Sequence, residues 1–172
     1  MIVIVPESPD RIDAIAQINR QAFGGEEEVD LVAKIRDSEY FIPELSLIAL
    51  VDGEPVGHIM FSPVHVVSPQ KRTPLLSLAP MAVHPEHQRK GIGSKLVEQG
   101  LAAAKSLGHR AVIVIGHPGY YPRFGFMPAS AFRIASPFDV PDEAFMALEL
   151  EPGALKGIAG TVEYSPPFGG WL

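Results

Sequence analysis

The chain has 172 residues, 47% apolar and 20% charged, with 14 Lys and Arg against 20 Asp and Glu and no Cys at all. Chains of this size usually bury one core, and a net charge of −6 removes any global positive field that would collect phosphate backbones or anionic lipid. Without Cys there is no disulfide scaffold, thiol nucleophile, Fe–S cluster or thiolate-bound zinc, and 16 Gly with 17 Pro mark a backbone rich in turns and special dihedrals.

Ile2 to Val5 is a β-branched run closed by Pro6. It reads as a first strand, because a basic region and a small-residue cleavage site are lacking. Asp10 is a candidate cap for a helix whose Ile12, Ile15, Ile18 and Phe23 recur at helical spacing, and Gly24-Gly25 stops it. A second helix follows, with Glu26 to Glu28 at its positive end and Val29, Val32 and Ile35 on one face.

Asp52-Gly53 between Leu47–Val51 and Pro55–Phe61 predicts a tight hairpin whose second strand runs on toward Val67. After a polar turn over 68–74, Leu75 to Val83 is again strand-like. It contains Pro80, which in a buried strand demands an edge or a bulge. A helix carrying Leu96, Val97, Leu101, Ala104 and Leu107 is closed by Gly108, and Ala111 to Ile115 forms an apolar strand broken by Gly116-His117-Pro118-Gly119. Short runs at Phe132–Ala135, Phe145–Leu150 and Gly160–Tyr164 alternate with Pro/Gly turns. No apolar stretch approaches the about 20 residues of a membrane-spanning helix, so a cytoplasmic location is expected, with neither membrane nor nucleic acid as a partner. Nothing divides the chain, which reads as a single domain over 1–172.

The chemistry lies between Val83 and Leu96. A glycine-bearing loop between a strand and a helix leaves backbone N–H groups unpaired at the positive end of the helix dipole, an arrangement suited to phosphate. In Gln88-Arg89-Lys90-Gly91-Ile92-Gly93-Ser94 two side-chain cations add to it, and the glycines let the backbone come close. The spacing fits neither a nucleotide P-loop nor a dinucleotide fingerprint, which would need Gly at position 96, where Leu stands.

The run Leu78 to Pro85 followed by Gln88-Arg89-Lys90-Gly91-Ile92-Gly93 resembles the acyl-CoA-binding pattern [QR]-x-x-G-x-[GA] of the GNAT superfamily of N-acetyltransferases. Downstream, Tyr121-Pro122-Arg123-Phe124-Gly125-Phe126 is similar to the superfamily's Y-x-x-x-G-F element, in wording closest to a branch of bacterial acetyltransferases. The resemblance covers about residues 1–150, leaving 151–172 as a C-terminal strand and turn extension.

It implies an α/β (α+β) fold: a mixed, strongly twisted central sheet with a splay between the fourth and fifth strands, flanked by helices. It also implies acetyl-CoA as co-substrate, no metal, and a primary amine of a small molecule or peptide as acceptor, in a monomer or homodimer. Residues Gln88 to Ser94 would hold the phosphates, and Met81-Ala82-Val83 would run along the cofactor. Met81 and Val83 would offer main-chain hydrogen bonds, the Met81 amide near the thioester carbonyl. Tyr121 would orient the thiolate or protonate it, its phenol (pKa about 10) carrying a proton at neutral pH.

Neutralising a lysine-like acceptor amine at pH 7 costs about 4.6 kcal/mol, so a base or a water relay matters. The strand Leu75–Val83 holds no carboxylate, where some superfamily members carry a catalytic Glu. His117 is the best-placed candidate, with Glu28, His58 and His65 as others. A non-catalytic acyl-CoA-binding module and an aminoacyl-tRNA acetyltransferase are the alternatives. The latter would want a basic face, and the only basic clusters are Lys71-Arg72 and Arg89-Lys90.

Overall fold

The computed structural model describes residues 1–169; the last three residues of the expected C-terminal extension, Gly170 to Leu172, lie outside the described residues. Among the described residues nine strands and three α-helices alternate with short 3-10 turns: β1 (Ile2–Pro6), α1 (Ile12–Phe23), α2 (Glu27–Arg36), β2 (Ser46–Val51), β3 (Glu54–Val67), β4 (Arg72–Val83), α3 (Ile92–Ser106), β5 (Ala111–Ile115), β6 (Met127–Pro128), β7 (Ile134–Ala135), β8 (Phe145–Glu149) and β9 (Gly160–Glu163). The strands form one mixed sheet in the order β1-β2-β3-β4-β5-β8-β6, with β9 on β3 and β7 on β9. Neighbours are antiparallel at β1/β2, β2/β3, β5/β8, β6/β8 and β3/β9, and parallel at β4/β5 and β7/β9. This is the expected mixed α/β architecture.

Two compact units share the long strands. The first takes Met1–Ser62 and Ala79–Ala103, the second Pro63–Leu78 and the described residues from Ala104 on.

In the first unit the hairpin turn has Asp52 at φ 50° and Gly53 at φ 85°. Both are in the left-handed region, as a type I′ turn requires. Helix α1 buries Ile15 and Ile18, and α2 buries Leu31, Val32 and Ile35. Asp10 does not cap α1: Pro9 opens a separate 3-10 turn over Pro9–Arg11, and α1 begins only at Ile12. Phe23 does not join the buried stripe either, standing 46% exposed beside Gly24, whose φ of 75° ends the helix. Helix α3 buries Ile92, Leu96 and Val97. It stops at Ser106, so Leu107 lies beyond the helix and is exposed.

In the second unit β4 pairs with β5 at only two positions, Leu76↔Val112 and Ser77↔Ile113. The parallel strands part there, which is the expected splay, and Pro80, after a cis Ala79–Pro80 bond, follows the last pair. The core of this unit gathers Val64, Leu75, Ile113, Phe145, Leu155 and Val162, with Tyr164 packed against it. The expected strand over Phe132–Ala135 shrinks to Ile134–Ala135, because residues 129–132 form a 3-10 turn and Arg133 takes φ 60°. A left-handed residue cannot continue an extended run.

Candidate functional site

In the first unit, His84 N–H donates to Val56 O on β3 at 2.8 Å. Main-chain groups alternate sides along a strand, so Ala82 faces β3 while Met81 and Val83 turn theirs away from it. The Val83 carbonyl instead accepts Gln88 Nε2 at 3.0 Å. The Gln88 side chain thus ties the loop to the end of β4.

The 3-10 turn Pro85–His87 carries the chain over, held by His87 N–H to His84 O at 2.8 Å and by His84 Nδ1 accepting Glu86 N–H at 3.1 Å. The next backbone N–H with a backbone partner is Lys95, bonded to Gly91 O at 3.1 Å. Among the described residues, the N–H groups of 88 to 93 make no backbone hydrogen bond. Arg89 (φ 63°) and Gly91 (φ 81°) are left-handed, and a Cβ added at Gly91 would meet open space. Arg89 and Lys90 are exposed, while buried Ile92 anchors the first turn of α3. A run of unpaired N–H groups, two cations and the dipole of a 15-residue helix converge here. Such a combination suits an anion.

Tyr121 and His117 belong to the second unit. Gly116 N–H donates to Ala144 O at 2.9 Å, and the carbonyl of exposed His117 accepts Tyr120 N–H at 3.0 Å and Tyr121 N–H at 3.3 Å. Tyr121 opens the 3-10 turn Tyr121–Phe124, which Gly125 ends at φ 101°. Its ring is 8% exposed and meets Tyr120 and Phe126 edge-on, with centroids 5.1 and 5.7 Å away. Burial raises the phenol above its ordinary value, with Tyr120 adding to the effect, so Tyr121 keeps its proton at neutral pH. Arg123 lies 4.5 Å over the Tyr120 ring and donates to Tyr120 O at 3.0 Å, which makes Arg123 and Tyr120 packing partners. A Cβ on Gly116 would stand 2.3 Å from Tyr121 Cε2, so this glycine admits the ring. Its sequence position shows only that the strand ends there.

The candidate bases differ sharply. His58 in the first unit is fully buried, with Asn19 Nδ2 3.2 Å from Nδ1 and Ser46 Oγ 2.9 Å from Nε2. Burial pushes it down to about 3. With both ring nitrogens engaged it has nowhere to take a substrate proton. Asn19 also donates to Ile15 O at 3.1 Å, and its buried Oδ1 has no partner among the described residues. Glu28 sits half-buried in the first turn of α2. His65 pairs with Glu163 across β3 and β9, and burial lowers it first, the Arg72 charge second. His117 stands exposed at the turn that carries Tyr121.

Among the described residues no group of three His, Asp or Glu could hold a metal ion, and no helix is long and apolar enough to cross a membrane.

The acetyltransferase (GNAT) family profile matches residues 12–126. The chain is 36% identical over 157 residues to the uncharacterized N-acetyltransferase YjhQ of Escherichia coli K12, covering 86% of each. It is 32% identical over 167 residues to the uncharacterized N-acetyltransferase YhbS of the same strain, covering 96% of each. The crystal structure of Escherichia coli YhbS in complex with CoA superposes with a TM-score of 0.89 at 30% identity, over 98% of this chain and 92% of that one. A GNAT family acetyltransferase from Brucella melitensis in complex with acetyl-CoA gives 0.79 at 30% identity, over 98% of both chains. With residues 88–93 lying inside the matched segment, this chain belongs to the GNAT acetyltransferase family.

Proposed function

We propose that the protein transfers an acetyl group from acetyl-CoA to a primary amine of a small molecule or peptide, by direct attack in a ternary complex. The observation that carries this reading is the run of unpaired N–H groups from 88 to 93 at the head of α3. The CoA-bound and acetyl-CoA-bound relatives support the choice of ligand.

The fit is chemical as well as geometric. Backbone N–H groups, Arg89 and Lys90 suit the charge of a pyrophosphate. The main-chain groups that Met81 and Val83 turn away from β3 suit an amide-bearing arm. The thioester supplies the activated acetyl group. The Met81 N–H is the donor aimed at its carbonyl oxygen, and such a donor is worth about 3 kcal/mol as negative charge develops there.

The neutral amine bonds to the carbonyl carbon, the C–S bond breaks, and the amine's surplus proton leaves through solvent or His117. Tyr121 is the group that returns a proton to the departing thiolate. Its place in the Tyr-x-x-x-Gly-Phe element and its raised phenol pKa support that role. With no Cys in the chain, a thiol acyl-enzyme has no residue to form on.

A panel of primary amines incubated with acetyl-CoA, with release of free thiol monitored, tests the reading. Amine-dependent thiol release together with acetylated product supports it. CoA binding without transfer to any amine would favour a non-catalytic acyl-CoA-binding module.

A further inference from the structure

Within the first unit, α3 rests on the sheet through two reciprocal close approaches. A Cβ on Gly57 of β3 would stand 2.9 Å from Leu96 Cδ1, 3.2 Å from Ile92 Cγ2 and 3.3 Å from the Cβ of Ala49, its partner across the ladder on β2. A Cβ on Gly100 of α3 would stand 2.3 Å from Phe61 Cε1 and 2.7 Å from Cζ. Gly57 and Phe61 are four residues apart on a strand and share a face, while Leu96 and Gly100 are four apart on a helix and stack one turn from each other. The helix therefore presses a leucine into a hole in the sheet, and the sheet presses a phenylalanine into a hole in the helix. Neither glycine has a φ in the left-handed range. Each is needed for space alone.

One such contact would leave the helix free to pivot about it. Two of them, one turn apart, fix both its rotation and its position along its axis. The end being fixed is the anion cradle. Ile92 is the first residue of α3, fills the space over Gly57, and belongs to the loop whose N–H groups are unpaired. How closely Ile92 and Leu96 approach β3 therefore sets how deep those N–H groups sit relative to the end of β4. Interiors are packed too tightly to absorb an extra methyl without a shift.

We propose that Gly57 is a positioning residue for phosphate recognition. By lacking a Cβ it seats Ile92 and Leu96, and through them holds the cradle at the depth that receives the pyrophosphate of an acyl-CoA. The proposal rests on the reading of residues 88–93 as an acyl-CoA phosphate site.

The test compares two acetyl donors, acetyl-CoA and S-acetylpantetheine, which lacks every phosphate. In Gly57→Ala, KM for acetyl-CoA is expected to rise about tenfold, with kcat and the kcat/KM for S-acetylpantetheine both kept within about twofold. Adding Leu96→Val removes the Cδ1 atom that the new methyl would strike, and should return KM for acetyl-CoA to near its wild-type value. Equal losses on both donors would overturn the proposal, as would an unchanged KM in the single variant.

Where Gly57→Ala alone does not fold, as read by circular dichroism, the double variant carries the comparison. A folded double variant with wild-type KM supports the seat, and one with KM still raised overturns it. Calorimetry of the wild type with CoA separates the two layers. A wild type that does not bind overturns the phosphate reading together with this proposal, whereas a wild type that binds no better than Gly57→Ala overturns the positioning role alone.

Discussion

His58 Nε2 lies 2.9 Å from the hydroxyl of Ser46, and that hydroxyl is also bonded to the Glu7 carboxylate. A hydroxyl has one proton, and a carboxylate can only accept, so the Ser46 proton points to Glu7 and His58 donates its own Nε2–H to Ser46. Asn19 Nδ2 donates into Nδ1 on the other side. Arg36 closes the chain with a fork on Glu7, at 2.8 Å from Nε and 3.0 Å from its terminal nitrogen. Four residues, Asn19 of α1, Arg36 of α2, Ser46 at the start of β2 and Glu7 just after β1, thereby hold the neutral imidazole of His58 in one tautomer.

The pH dependence of stability follows from this chain. Burial holds His58 at about 3 in the fold, against an ordinary 6.5 when unfolded. Between those values the unfolded chain takes up a proton that the native state refuses, so stability is full above about 6.5 and falls as the pH drops toward 3. Glu7 acts in the same direction. Burial pulls its carboxyl up, but the hydrogen bonds from Arg36 and Ser46 and the charges of Arg36 and His58 outweigh that and leave it below 4.5. Its contribution is present above 4.5 and lost as the pH falls through the lower folded value. Urea midpoints measured from pH 8 to 4 should decline below 6.5, and His58→Gln should flatten the decline between 6.5 and 4.5. An identical slope in the variant would contradict the assignment.

Ser46→Ala removes the link at the centre of the chain. It strands the His58 N–H in the interior and takes a donor from Glu7, a loss of about 2 kcal/mol. Thermal unfolding should shift down by several degrees, and an unchanged Tm would show that the hydrogen bonds are replaced by others.

Local features were legible from residue types and spacing. Asp-Gly announced the hairpin because both residues sit at positive φ, and Gly-x-Gly after Lys90 announced a loop whose N–H groups make no backbone hydrogen bond among the described residues. Contacts between distant segments were not. Gly57, Gly100 and Gly116 look like ordinary glycines until Leu96, Phe61 and Tyr121 are placed against them. His58 looked like a candidate base because its residue type carries no sign of burial, and its partners Glu7, Asn19, Ser46 and Arg36 come from four separate stretches of chain. Arg133 cut a strand by adopting a conformation usually left to Gly or Asn.

Tyr121→Phe keeps the buried ring and deletes the proton. Steady-state rates should fall by about two orders of magnitude, with the affinity for CoA retained. A variant as active as the wild type would remove Tyr121 from the reaction.

Gly116→Ala places a methyl where the Tyr121 ring now lies, 2.3 Å from Cε2. The ring must move, so kcat should drop at least about tenfold while CoA affinity stays near that of the wild type. Comparable losses in kcat and in CoA affinity would indicate general unfolding in place of a displaced side chain.

The central claim is that residues 88–93 cradle the phosphates of an acyl-CoA, and calorimetric titration of CoA into wild type, Gly91→Asn and Gly91→Glu tests it most directly. Gly91 is left-handed and open to solvent, so Glu bears a backbone cost of about 1 kcal/mol and Asn, which tolerates that conformation, a smaller one, and only Glu adds negative charge. The account predicts that wild type binds, that Gly91→Asn weakens binding modestly, and that Gly91→Glu abolishes it. An affinity in Gly91→Glu equal to that of the wild type would contradict it.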